Sequence, residues 1–179
     1  MGYFRGEMGR LGVGTRLLAA SAACALVVGC GGGSDEPQDE KTIPKAQFIR
    51  RADELCARAD RRTERLPVPP LPPRRSRQLD EAAAFFRTQV AIGSRELARI
   101  RRLGVAVPGT AAQAANLDTV DVLIAAMRAI VYHARRAHLD QTRARYRRVQ
   151  AISERATDLA MRFGYDVCGQ SGVHRVLSR

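Results

Sequence analysis

Tryptophan is missing from this chain, and aromatic residues fill only 5% of its 179 positions. Strands draw on aromatic and β-branched residues, so their scarcity disfavours a sheet. Nucleic acid is not an expected partner, because no aromatics interleave with the cations to stack bases. Zinc-binding CxxC pairs are absent, and Cys56 and Cys168 lie far apart in sequence. The sole glycine triplet is followed by serine and acids, not by the GK[ST] of a phosphate loop. The segment Gly169-Gln170-Ser171-Gly172-Val173-His174 falls short of a nucleophile turn, since position 173 is valine and no strand precedes it. We therefore expect no catalytic residue, no metal and no cofactor. Acids are also in deficit: 30 Lys and Arg against 18 Asp and Glu leave a net charge of +12. A charge of that sign favours encounter with anionic surfaces.

What is present begins with an apolar run. Residues 17–29, LLAASAACALVVG, follow a short segment with isolated arginines. A bilayer-crossing helix needs about 20 apolar residues, so this run matches the core of a secretory signal peptide instead. Val27-Val28-Gly29-Cys30 resembles the lipobox of bacterial lipoprotein precursors. The resemblance implies a diacylglyceryl group on the Cys30 sulfur and removal of residues 1–29. Two acyl chains hold a protein at a membrane where one does not. The implied site is the extracytoplasmic face of a cell membrane. Residues 30–43 then form a lipidated cysteine and tether. GGGSDEPQDEK buries nothing and spans on the order of 20 Å as coil.

With Cys24 removed and Cys30 acylated, Cys56 and Cys168 remain in an oxidising compartment. We expect them to pair, the alternative being two unpaired buried thiols. Residues 44–169 carry four helical periodicities. The first starts at Ile43-Pro44 and presents Phe48, Ala52, Leu55, Cys56 and Ala59 on one face. PVPPLPPRR at 67–75 cannot be helical. The second runs from Ser76 to Leu103, the third from Thr110 to His138, and the fourth from a cap at Asp140 to Phe163. Gly164 is the expected stop. The fold class is all-α: an up-down four-helix bundle with a disulfide clip, preceded by signal peptide and flexible tether. Residues 170–179 are read as a C-terminal tail.

Phe48…Ala52-Asp53…Cys56 and Phe163-Gly164-Tyr165…Cys168-Gly169 resemble the small two-cysteine helical lipoproteins of actinobacterial-type genomes. That group has no assigned activity, so the resemblance implies fold alone. His133 and His138 are five apart, about 140° around a helix, and so are not expected to share a metal. Residues 133–155 hold seven arginines against Asp140 and Glu154. Arg135, Arg136, Arg143, Arg147 and Arg148 are the expected contact residues for anionic phospholipid, wall polymer or an envelope protein. The functional expectation is a membrane-anchored, non-enzymatic helical interaction module. The alternative is a ligand-binding protein or enzyme with a pocket in the bundle, which requires an apolar cavity with converging polar groups.

Overall fold

The computed structural model describes residues 41–170 and 172–177. The expected signal peptide, Cys30 and the expected tether up to residue 40 lie outside the described residues. The chain enters through a short strand, β1 (Thr42–Pro44), and passes into α1 (Lys45–Thr63). Pro44, with φ −56°, stands directly before the first turn, where its missing N–H costs nothing. Phe48, Ala52 and Leu55 recur every three or four residues and are the buried stripe.

Prolines 67, 69, 70, 72 and 73 force the chain out of helix before α2 (Leu79–Arg101), which a 3-10 turn at Ser76–Gln78 introduces. A second strand, β2 (Val105–Val107), follows, then α3 (Thr110–Arg135) and α4 (Leu139–Phe163). Consecutive long helices pack as neighbours, α2 on α1, α3 on α2 and α4 on α3. This is the four-helix bundle expected from the periodicity. Phe48, Phe86, Ile130, Val149 and Phe163 are fully enclosed at its centre. Phe48 meets Phe163 edge-on at 6.0 Å, closing α1 against the end of α4.

The strands were not expected. Thr42–Pro44 pair in parallel with Val105–Val107, Ile43 opposite Ala106, so α1 starts two residues later than its apolar pattern suggests. Gly104 has φ +108°, and a Cβ there would collide with the Lys41 carbonyl. The Gln113 side chain completes the knot, accepting from the Ala106 N–H at 2.6 Å and donating to the Gly104 carbonyl at 2.9 Å.

The turn between α3 and α4 also differs from expectation. Helix α3 ends at Arg135 and not at His138. Ala137 takes φ +57°, and His138, not Asp140, occupies the position before α4. Gly164 does stop α4, with φ +102° and its N–H on the Ala160 carbonyl.

Beyond Gly164 the chain folds back over α1. Cys56 and Cys168 are joined, with Cα atoms 5.2 Å apart. One turn earlier on α1, the Asp53 carboxylate accepts the N–H groups of Asp166, Val167 and Cys168 at 2.9–3.0 Å. Asp53 is thus a cap for the strap 165–168. The tail then forms a short helix, α5 (Gly172–Leu177), packed on α1 and α4. Arg175 reaches Asp60 at 3.2 Å and Glu64 at 3.0 Å on α1.

Candidate functional site: a polar-lined notch in an apolar cavity

Small residues face one another midway along the bundle. Ala59 of α1, Gly93 of α2, and Ala156 and Ala160 of α4 leave space where larger side chains would meet. The result is a cavity of about 140 Å³, walled mostly by carbon and covered by Tyr165 and Cys168 of the strap. The disulfide and the Asp53 cap therefore hold one wall of the cavity in place.

Helix α2 supplies the polar part. Gln89, Gly93, Glu96 and Ile100 follow the helical repeat and line the cavity together. Gln89 is 1% exposed and Glu96 5%. Thr63 of α1 donates to Gln89 Oε1 at 3.3 Å, fixing the amide plane. Gln89 Nε2 and both Glu96 carboxyl oxygens then have no hydrogen-bonding partner among the described residues, and neither does the buried Tyr165 hydroxyl. Unpaired buried polar atoms each cost about 1–3 kcal/mol, so three such groups around one space require an account.

Burial pushes the Glu96 carboxyl above its ordinary range, against the opposing pull of Arg99, Arg58 and Arg62. Arg99 stands 3.8 Å from the carboxyl, within ion-pair range but too far for a hydrogen bond. Burial likewise raises the Tyr165 phenol, with the Asp53 charge adding to it. Across the cavity, Asn116 of α3 donates to the Ala156 carbonyl at 3.2 Å, tying α3 to α4.

The expected arginine face divides. Arg143 is not free to dock. Its guanidinium donates to the carbonyls of Pro73 at 2.9 Å and Arg74 at 2.7 Å, stapling the proline-rich linker to α4. Arg135, Arg136, Arg147 and Arg148 are exposed. None of these four has an acidic partner among the described residues. Arg136 lies over the Tyr132 ring at 3.9 Å.

Contrary to the helical projection, His133 and His138 converge, their rings 5.9 Å apart, because α3 unwinds before His138. His133 is half-buried and His138 exposed. Partial burial lowers the His133 pKa, and the charges of Arg145, His138 and Arg136 lower it further. No group of three or more metal-ligating side chains occurs among the described residues. No described helix is long and apolar enough to cross a membrane.

The sequence reading missed Gln89 and Glu96 altogether. The available signal was two long polar residues seven apart, flanking Gly93 on the inner face of α2. Comparison with known proteins finds no matching family model, no matching curated protein and no matching solved structure.

Proposed function

We propose that this chain is a non-enzymatic helical binding module, held by a lipid at Cys30 on the outer side of a membrane, whose bundle takes up a small, mostly apolar ligand. The cavity carries the reading. Its apolar wall with a few placed polar groups is the usual composition of a ligand site. Glu96 and Gln89 meet the requirement set by the sequence for a pocket, namely polar groups converging on apolar space. The other buried carboxylate on the cavity wall, Asp60, is held by Arg175, which leaves Glu96 suited to recognition more than to two-group proton transfer.

Toluene titrated into the full chain in detergent tests the reading. A cavity near 150 Å³ in another protein holds benzene. Toluene should raise the melting temperature in a saturable way, and Ala59→Phe, which fills the space, should abolish the effect. An unchanged melting temperature together with unperturbed methyl NMR signals from Leu97 and Leu117 would overturn the reading. The anchor is tested separately by intact mass. Residue 30 should carry a diacylglyceryl group at the new N-terminus, and an unmodified thiol there would refute the attachment.

A second reading rests on the placement of the free arginines. The chain enters beside β2, where α3 begins, while Arg135 and Arg136 lie at the other end of α3. Twenty-six residues of helix place these ends about 39 Å apart. A module tethered at one end thus presents its cationic tip at the other, where an anionic wall polymer would meet it.

A further inference from the structure

The cavity's polar atoms are spaced as well as placed, and their spacing limits what can enter. Resting on the binding reading above, we propose that the cavity is built for an uncharged, ring-sized molecule with a hydroxyl at each of two opposite ends, one for Gln89 and one for Glu96.

Seven residues separate Gln89 from Glu96 on one face of α2. At 1.5 Å per residue their positions differ by about 10.5 Å along the helix, and both side chains tilt the same way. With the two side chains parallel, each needs a polar atom of its own on the ligand. Two hydrogen bonds of about 2.8 Å laid end to end leave roughly 5 Å between the ligand's own polar atoms. That is the span between opposite substituents of a six-membered ring. Gly93 lies midway between the two residues and lines the cavity with backbone alone, Ile124 of α3 standing 3.6 Å from where its Cβ would be.

The chemistry of the ends follows from the partners. Gln89 Nε2 is a donor in want of an acceptor. A hydroxyl accepts there, and it would donate equally well if the amide were reversed. Glu96 presents two unpartnered carboxyl oxygens, which a second hydroxyl can meet in either protonation state of the acid. Charged ligands fit worse. A carboxylate at this end would face the Glu96 oxygens. An ammonium would compete with Arg99, Arg58 and Arg62 for the same carboxyl and would lose its hydration to a mostly carbon wall. A hydrocarbon would leave every one of these polar atoms unpaired.

The test is a ladder of probes titrated into the full chain in detergent, read by NMR: toluene, p-cresol and 4-hydroxybenzyl alcohol, with tyramine and 4-hydroxybenzoate as charged members. Each added hydroxyl should tighten binding about tenfold. Gln89→Leu and Glu96→Leu should each remove one step of the ladder, with helical circular dichroism checking that each variant is folded. A flat ladder from toluene to 4-hydroxybenzyl alcohol refutes the two-ended ligand but leaves the cavity reading standing. Tighter binding of tyramine or 4-hydroxybenzoate refutes the uncharged class. Failure of every probe, toluene included, refutes the binding reading itself.

Discussion

Breaking the clip between Cys56 and Cys168 is the most informative single perturbation of this fold. The bond closes a loop with a sequence separation of 112. In the chain-entropy treatment such a loop restricts the unfolded chain by up to about 4.8 kcal/mol, and native disulfides typically deliver about 2–5 kcal/mol. A folded unit of roughly 135 residues has an unfolding entropy near 0.28 kcal/mol/K, so the melting temperature should fall by about 7–17 °C. Asp53 modulates that number. Its carboxylate holds the same three residues through backbone N–H groups, so the strap keeps a second attachment when the sulfurs part. Asp53→Ala in the oxidised protein should cost about 2 kcal/mol, as charged hydrogen bonds do. In the Cys56→Ser/Cys168→Ser background it should cost less, because the strap then releases locally before the bundle melts. Thermal melts followed by helical circular dichroism on the four proteins give the full cycle. A fall below about 3 °C for the double serine variant, or strict additivity of the two changes, would refute the view of strap and clip as one shared fastening.

Gly93→Ala should stabilise the protein by about 0.5–1 kcal/mol, since the new methyl would sit 3.6 Å from Ile124 in ordinary contact and helix propensity improves. Chemical denaturation reads it, and a loss of stability would mean the helices are closer than described. Glu96→Gln tests the buried carboxyl. The folded-state pKa lies above the ordinary 4.5, so the native state retains its proton longer than the unfolded chain. Stability from that proton is present at low pH and lost as pH rises through the folded value. Wild type should therefore weaken relative to Glu96→Gln on going from pH 4.5 to 8, and parallel pH curves would refute this. Arg143→Ala should cost about 1–2 kcal/mol and speed proteolysis within residues 67–75, because it frees two linker carbonyls. It should leave retention on anionic wall material unchanged, whereas Arg147→Glu with Arg148→Glu should reduce it. The opposite pattern in a pull-down would return Arg143 to the docking face.

Long periodic segments were the legible part of this chain. The stripe Tyr146, Val149, Ser153, Ala156 and Ala160 is buried as its spacing requires, and Gly164 ends α4 where a left-handed residue is needed. Cysteine counting correctly paired Cys56 with Cys168. What escaped was short or depended on distant partners. Three residues of strand carry no periodicity, so β1 and β2 could not be separated from loop. Asp53 and Arg143 occupy helix positions that ordinarily face water. Their roles come from backbone groups over a hundred and about seventy residues away, respectively. Gln89 and Glu96 were passed over because polar residues beside an apolar stripe usually snorkel to solvent, and these two do not. His133 and His138 were projected on a straight helix that in fact unwinds between them.

The sulfur link also decides how the molecule would bear load. A pull on the chain at Lys41 would first peel β1 from β2 and then unwind the start of α1. Only the fifteen residues ahead of Cys56 can pay out before the bond goes taut, a travel of roughly 50 Å when fully extended. From there tension passes through covalent bonds into the strap that follows α4, bypassing α2, α3 and the proline-rich linker. If the proposed anchor leashes the front end, the protein is in this way gripped from the rear, and the helices that enclose the cavity can stay assembled while the leash is strained.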